Sequence, residues 1–360
     1  MKKIWFICLG IIFAVFFLTV VLGVYNSEPR YKGRSAAVWA LDLNSSEQKN
    51  RDEAVLALQK IGSNGVPSLS RMLVTTNRSW QDRALLSTAP YLPRPLRSRV
   101  YEKHYPVDPF TARVLAAKAL GTIGTEARTA IPILNELVAD QQMQGTLSYA
   151  TAVSLAKMGK ESVPTLTNDL QSKNSFVVQK AIYALSTMGS DSKEAIPALI
   201  RQLTSQDAAI CDSAKRAISG LGSSATPTLI EILHNGSPEE RALAAKALSM
   251  ITLTSADTIQ NLIGALDDSD PKVRRQIIET LGSLRAGYTP VTLALSRSLQ
   301  DTNEEVRLEA VKMLGRVPRR AEPAIPELSR LLNDPNEGIR SAAGTVLMQI
   351  TNRPPAQQTR

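Results

Sequence analysis

The sequence predicts an all-α solenoid, an array of stacked helical pairs. Between about Ile259 and Thr351 the chain repeats itself three times, in steps of 33 residues. A fixed period of this size is typical of proteins that grow by adding one helical unit after another. Alanine and leucine dominate the periodic stretches, and only 5% of the residues are aromatic, which favours closely packed helices. The matching positions include Val273, Val306 and Ile339, and also Leu281, Leu314 and Leu347.

The first residues predict a membrane anchor. Two lysines precede Ile4–Val24, a run of 21 residues without a charge. A helix of that length spans about 30 Å, the hydrocarbon thickness of a bilayer. We therefore expect a transmembrane signal-anchor over residues 1–25 and a linker over 26–34. A cleavable signal peptide is the alternative. The short N-terminal tail favours a single-pass membrane protein with its repeat domain on the extracytoplasmic side.

About nine repeat units follow, over residues 35–351. Each unit begins with an apolar helix, often led by proline, which the first turn of a helix tolerates because its missing N–H would have no partner there. A polar turn comes next, such as Asp268–Pro271, and a second helix then runs to a glycine or another small residue. Residues 352–360 are predicted to be a disordered tail. The leading prolines are Pro67, Pro132, Pro164, Pro197, Pro227 and Pro326.

An arginine recurs near the start of the second helices. At about 100° per residue, Arg274 falls inside the apolar stripe of its helix, so its charge needs a partner. Asp268, six residues earlier in the polar turn, is the expected one. By the repeat spacing, Thr146, Val178 and Cys211 occupy the arginine position in three other units. We call the recurring set the arginine ladder; its arginines are Arg51, Arg113, Arg241, Arg274, Arg307 and Arg340, and its aspartates are Asp268, Asp301 and Asp334.

The leading proline, the turn aspartate, the Val-Arg pair and the Ala-x-x-x-Leu-Gly ending resemble the HEAT-repeat family of armadillo-like α-solenoids. The resemblance extends to its bacterial PBS-lyase-like subgroup and covers roughly residues 35–351. It implies a right-handed superhelix of HEAT-type hairpins, with the second helices lining the concave face. The predicted fold is therefore a right-handed all-α solenoid of about nine such hairpins, preceded by one transmembrane helix. The family implies no single activity, since HEAT arrays are more often scaffolds than enzymes.

One segment interrupts the repeats. Residues 75–109 stand in repeat 2 where a short turn should be, and they contain five prolines and an excess of arginine over acidic residues. A loop of this length is usually functional or disordered. One interpretation is a solvated loop that packs its aromatic side chains over the first repeats. The other is a docking loop for an acidic partner or lipid headgroups, in which Trp80, Arg94, Arg97 and Arg99 make the contacts.

Catalytic motifs are missing from the sequence. His104 and His234 have no metal-ligand partner at a useful spacing, and no nucleotide-binding or nucleophile motif is present. We therefore expect no catalysis, no cofactor and no small-molecule substrate. A further feature is a set of mostly basic side chains at one position of the second helices, away from the packing stripe. We call it the basic row, and it consists of Lys118, Tyr183, Arg216, Lys246 and Lys312.

These observations predict a membrane-anchored, non-catalytic scaffold. It would bind a protein partner with an acidic patch through the concave face and the 75–109 segment. The net charge of +9 fits an acidic partner, although solubility alone also explains it. The alternatives are a lyase-like HEAT accessory or enzyme and a nucleic-acid-binding HEAT protein. Nucleic acid is not expected as a partner. The four cations of the basic row, with a glutamate between them, are too few for firm binding to a duplex.

Overall fold

A computed structural model describes residues 29–74, 85–94, 96–97, 100–101, 105–139, 145–251, 255–285 and 289–351. These residues belong to two compact units, and the division lies between Asp169 and Leu170. Helices account for nearly all of the regular structure in both units. The fold of the described residues is an all-α helical repeat solenoid, as the 33-residue period predicts.

Unit 1 begins with a pair of two-residue antiparallel strands, β1 (Arg30–Tyr31) and β2 (Arg34–Ser35). Helix α1 packs against α2, α3 against α4, and α5 against α6, so the described part of the unit contains three helical hairpins and the single helix α7. The second helices α4 and α6 also pack along each other. The helices are α1 (Ala36–Asp42), α2 (Gln48–Ile61), α3 (Val66–Val74), α4 (Pro109–Ile123), α5 (Ile131–Ala139), α6 (Thr146–Lys157) and α7 (Val163–Asp169).

Unit 2 begins with one helix and continues as five hairpins. Each first helix packs on the second helix that follows it, and the second helices α12, α14, α16 and α18 pack in succession. The helices are α8 (Ser175–Thr187), α9 (Ile196–Arg201), α10 (Ala208–Leu221), α11 (Thr226–Asn235), α12 (Pro238–Leu248), α13 (Ala256–Gly264), α14 (Pro271–Arg285), α15 (Thr289–Ser298), α16 (Glu304–Gly315), α17 (Ile325–Arg330) and α18 (Glu337–Thr351).

The helix boundaries follow from local sequence signals. Each of the six leading prolines is the second residue of its helix, where a backbone N–H would have no helical partner. Ser237 caps α12, because its hydroxyl accepts the N–H of Glu240 while the Glu240 carboxylate accepts the N–H of Ser237. Gly62, which ends α2, has φ of +58°, a conformation that residues with a Cβ rarely adopt.

Small residues let neighbouring second helices approach closely in unit 2. A Cβ on Gly282 of α14 would lie 2.6 Å from Met313 Cγ of α16, and one on Gly315 would lie 3.0 Å from Val346 Cγ2 of α18. Met313 is only 1% exposed, so its side chain has little room to move. The small residue that ends the second helix is therefore a packing requirement of the stacked repeats.

The predicted transmembrane helix needs a correction. Among the residues that the structure describes, no helix is long and apolar enough to cross a membrane. The longest helices, α4, α14 and α18, have 15 residues each. That number gives about 22 Å, short of the roughly 30 Å of hydrocarbon in a bilayer. The fold class is thus corrected to an all-α repeat without that helix, and the predicted single-pass membrane localisation is wrong on the same finding.

Three predicted segments fall wholly or partly outside the described residues. The anchor over 1–25 and the tail over 352–360 lie there entirely, and so does most of the 26–34 linker. Of the 75–109 segment, the structure describes short helical turns around Ala89–Tyr91, and no long helix is present in the described part. Ala89 and Tyr105 are buried, so this part of the segment packs against the protein.

The close approach of the second helices predicts opposite effects for two glycine substitutions. Gly282→Ala should lower the free energy of unfolding by about 1–3 kcal/mol, because the new methyl group overlaps the buried Met313. Gly220→Ala should raise it by about 0.5–1 kcal/mol, since a Cβ at Gly220 meets nothing within 4 Å and alanine favours the helix. Urea unfolding of the two variants beside the parent measures both values. A destabilised Gly220→Ala or an unchanged Gly282→Ala would contradict the packing described here.

Candidate partner-binding surface and the arginine ladder

The arginine ladder of unit 2 consists of two-pronged ion pairs between consecutive repeats. Arg274 Nε donates to Asp301 Oδ2 and Arg274 Nη2 to Asp301 Oδ1, both at 2.7 Å. Arg241 pairs with Asp268 at 2.6 and 2.7 Å, and Arg307 with Asp334 at 2.8 and 3.1 Å. The arginine side chains are only 13–15% exposed. Each pair therefore joins the second helix of one repeat to the polar turn of the next in a partly desolvated setting.

The third nitrogen of each arginine fixes the turn of its own repeat. Arg274 Nη1 donates to the carbonyl of Asp268 at 2.8 Å, and Arg307 Nη1 donates to the carbonyl of Asp301 at 2.9 Å. Arg340 does the same with Asp334 at 2.7 Å. In unit 1, Arg51 donates to the carbonyls of Ser45 and Ser46. One guanidinium therefore holds the turn that precedes its own helix and, in three repeats, the carboxylate of the following repeat as well.

The pairing differs from the one expected from the sequence. Asp268 was expected to neutralise Arg274, six residues later. Its carboxylate instead binds Arg241 of the preceding repeat, and only its backbone carbonyl contacts Arg274. With a period of 33 residues, an aspartate 6 residues before one arginine also lies 27 residues after the previous one. The sequence spacing alone cannot distinguish these partners.

The pairs also set the protonation of the aspartates. Burial raises the pKa of the Asp301 carboxyl, but the hydrogen bonds from Arg274 and from the backbone N–H of Asn303 outweigh that effect. The pKa of Asp301 consequently lies below its ordinary value. The pKa values of Asp268 and Asp334 are lowered in the same way, by Arg241 and Arg307 and by a backbone N–H two residues after each aspartate. All three carboxylates are therefore stabilised in the charged form.

The repeat register shifts in α6 relative to the sequence prediction. Ser154 Oγ donates to the carbonyl of Ala117 at 2.6 Å, just as Thr280 Oγ donates to that of Ala245 at 2.9 Å. Thr280 follows Arg274 by six residues, so the counterpart of the arginine in α6 is the buried Ser148 and not Thr146. Thr146 is the first residue of that helix. Arg113 does lie at the corresponding place in α4, where it is 4% exposed.

The basic row lies on the second helices of both units. Lys118 is exposed on α4 of unit 1. In unit 2, Arg216 on α10 and Lys312 on α16 are exposed, while Tyr183 on α8 and Lys246 on α12 are half-buried. Lys312 lies 3.7 Å from Glu309, and Arg216 donates to the hydroxyl of Ser213 at 3.1 Å. Four members of the row thus share unit 2, at the same position of four second helices.

The predicted contact residues of the 75–109 segment are only partly described. Arg94 is exposed and Arg97 is half-buried, whereas Trp80 and Arg99 lie outside the described residues. Tyr91 is one of the aromatic residues interleaved with the arginines of this segment, and its side chain is 88% exposed. An aromatic side chain that projects this far into solvent is a common contact residue in protein interfaces. Tyr91 therefore belongs with Arg94 in the candidate contact set.

Titratable clusters of metal-binding type are not found among the described residues. His234 Nε2 lies 3.0 Å from Asn261 Oδ1, and His104 falls outside the described part of the chain. Cys211, at the arginine position of α10, is half-buried with its Sγ 3.4 Å from the carbonyl of Leu203. His234 and Cys211 thus make local contacts in the described structure.

Comparison with known families identifies the repeats. Residues 226–295 and 291–359 match the family model for HEAT repeats, and residues 112–140 match that for the PBS lyase HEAT-like repeat. These parts of the chain are thus similar to HEAT repeats, and the resemblance predicted from the sequence is confirmed at this level. The membrane anchor that the prediction attached to the family has no support in these matches. No curated protein matches the chain.

Several solved structures resemble the chain at low identity. One is an engineered protein, 20% identical, with 88% of this chain and 98% of the other covered and a TM-score of 0.32. Another is human deoxyhypusine hydroxylase in complex with glycerol, 20% identical, with 76% and 96% covered and a TM-score of 0.30. A third is Kap121p bound to Pho4p, 13% identical, with 88% and 43% covered and a TM-score of 0.44. The repeat assignment consequently rests on the family matches and on the recurring geometry.

The ladder predicts a large difference between two arginine substitutions. Arg307→Ala should lower the free energy of unfolding by about 1–3 kcal/mol, because it leaves the carboxylate of Asp334 buried without its cation. The side chain of Asp334 is 4% exposed. Arg316→Ala, at an exposed position after α16, should cost less than about 0.5 kcal/mol. Urea unfolding compares the two variants, and equal losses would show that Arg307 has no special part in stability.

The lowered pKa values predict acid sensitivity. A carboxyl with a lower pKa in the folded state stabilises the fold above its unfolded pKa of about 3.9, and that contribution is lost as the pH falls through the folded-state value. The free energy of unfolding should therefore fall with pH below about 4. Asp301→Asn should flatten this fall as well as weaken the protein at neutral pH. Asp267→Asn is the control, since that side chain is 83% exposed and should leave the profile unchanged.

Proposed function

We propose that this protein is a non-catalytic scaffold that binds a protein partner with an acidic segment. The observation that carries the proposal is the basic row of unit 2. Its members Tyr183, Arg216, Lys246 and Lys312 occupy one position of four second helices, and each is at least partly accessible. Packed helices lie about 8–10 Å apart, so a row of this kind places a side chain at regular intervals along the unit.

The spacing of the row suits an extended acidic segment. An extended chain in the polyproline II conformation advances about 3.1 Å per residue with three residues per turn, so a carboxylate at every third residue would face successive helices. Each cation–carboxylate pair in water contributes about 1 kcal/mol at contact distance, and several pairs together give useful affinity. Glu279 occupies the same position on α14 and is exposed. That interruption favours a partner with a defined charge pattern over a uniformly acidic polymer.

The 75–109 segment supplies a second contact in this proposal. Tyr91 and Arg94 are exposed, while Ala89 and Tyr105 anchor the segment by burial. An anchored segment presents its contact residues at a lower entropic cost than a free one. Tyrosine and arginine are also the residue types enriched at the centres of protein interfaces. The segment thus fits a docking role in unit 1.

Charge reversal tests the row directly. The triple variant Arg216→Glu, Lys246→Glu and Lys312→Glu should weaken binding of a fluorescent glutamate-rich peptide by at least tenfold, or about 1.4 kcal/mol. The control variant reverses Lys193, Lys272 and Arg319, which are exposed outside the row and give the same change in net charge. Binding is followed by fluorescence anisotropy at low salt. An equal loss in both variants would mean that net charge, not the row, attracts the peptide.

The segment has its own test. Tyr91→Ala with Arg94→Glu should reduce capture of the native partner at least fivefold without changing the thermal midpoint, since both side chains are exposed. The partner is quantified by mass spectrometry after affinity purification from the native source. Tyr149→Ala with Arg128→Glu is a matched control, because these residues are exposed elsewhere in unit 1. Unchanged capture by the Tyr91 and Arg94 variant would exclude the segment from binding.

A further inference from the structure

Four positions of the interior repeats in unit 2 lie where one repeat meets the next. The arginine holds the next aspartate, as Arg307 holds Asp334. In one of these repeats the carbonyl of the residue four places after the arginine accepts a hydrogen bond from the next second helix, as Ala245 does from the hydroxyl of Thr280. The residue eight places after the arginine is small, as Gly282 and Gly315 are. The leucine two residues before the turn aspartate is covered, as Leu299 is at 1% exposure.

The last described repeat leaves the same four positions uncovered. We call them the end face: Leu332, Arg340, Gly344 and Met348. Leu332 is the counterpart of Leu299 and is 45% exposed, and Met348 is 59% exposed. A Cβ on Gly344 would lie 3.6 Å from Leu332 Cδ2, so the leucine adjoins the helix between Arg340 and Met348. Spacings of four residues place these three helical positions along one side of α18.

Arg340 carries the polar feature of the end face. Its Nη1 donates to the carbonyls of Asp334 at 2.7 Å and Pro335 at 2.9 Å, which holds the guanidinium in the same way as in Arg274 and Arg307. Its Nε and Nη2, which bind a carboxylate in those two arginines, have no partner among the residues that the structure describes. Residues 352–360 contain no aspartate or glutamate side chain.

We propose that the end face is a docking site for a partner protein that presents an aspartate in a turn leading into a helix. The three interior repeats define this occupant. In each, the aspartate accepts both prongs of the arginine and the backbone N–H two residues later, as Asp301 does with Asn303. Guanidinium and carboxylate match in shape and charge, so an arginine already held by its own turn binds such a turn with little loss of side-chain freedom.

Two features of the chain narrow the choice of occupant. Met348 stands where interior repeats have glycine or another small residue, so the helix of an occupant would lie farther from α18 than α18 lies from α16. A second copy of this chain, joined head to tail, is disfavoured. In the turn of its first repeat, Ser45 lies six residues before Arg51, and Arg51 binds its carbonyl. Ser45 therefore occupies the position that the aspartate has in the ladder. A serine cannot replace the carboxylate, so the partner is a different protein.

The test uses a probe whose fit to the ladder is known. A fluorescent peptide with the sequence of residues 299–316 contains the turn at Asp301 and the helix after it. Fluorescence anisotropy measures its binding to the full chain, and a second peptide carries Asp301→Asn. We expect the Asp301→Asn peptide to bind at least tenfold more weakly to the parent chain. Arg340→Gln should weaken the unmodified peptide by a similar factor, and combining both changes should add little, since they remove one interaction.

Three further variants make the result specific. Arg319→Gln, at an exposed arginine outside the end face, should bind the peptide as the parent does. Arg340→Lys keeps the charge but loses the two-pronged geometry, so it should bind at least fivefold more weakly. The triple reversal of the basic row should leave this binding unchanged, which separates the end face from the scaffold proposal. No binding up to about 1 mM peptide, full binding by Arg340→Lys, or indifference to Asp301→Asn would each overturn the proposal.

Discussion

The ion pair between an arginine of one repeat and an aspartate of the next fixes how the repeats of unit 2 stack on one another. Each guanidinium contacts the turn before its own helix and the carboxylate of the next repeat. It therefore fixes the position of one hairpin on another as well as the conformation of a turn. The arginine side chains of these pairs are only 13–15% exposed. A misplaced hairpin would therefore leave a partly buried charge without its partner.

Among the described residues, the ion pairs of the ladder lie in the part of the chain that matches the HEAT-repeat family model. Arg241, Arg274 and Arg307 all lie within residues 226–359. Earlier repeats use other contacts for the same purpose. The carboxylate of Glu126 accepts the backbone N–H of Ser63 at 3.0 Å, and Ser154 bonds the carbonyl of Ala117. Polar contacts between hairpins therefore occur in both units, but the residues that make them change along the chain.

The sequence predicts the helical units well because the local signals are strong. Leading prolines, capping residues such as Ser237 and small residues such as Gly282 all have a fixed structural meaning. The partner of each ladder arginine could not be predicted, since a period of 33 residues makes the aspartate before and the aspartate after equally plausible. The register of α6 was also misplaced, because this repeat is two residues longer than the 33-residue period, so the counterpart of the arginine is Ser148 and not Thr146. The repeat pattern of the sequence does not predict how exposed a single side chain such as Tyr91 is.

Packing and binding are coupled through the second helices. The residue that faces the next repeat and the residue of the basic row lie on the same helix, a few positions apart, as Arg241 and Lys246 do. The ladder pairs fix how these helices sit on one another, so they also fix the distance between Lys246 and Lys312. A change that loosens one ladder pair would alter the spacing of the row before it unfolds the unit, since each repeat contacts only its neighbours. Binding to an extended partner should therefore respond to ladder substitutions that leave every contact residue in place.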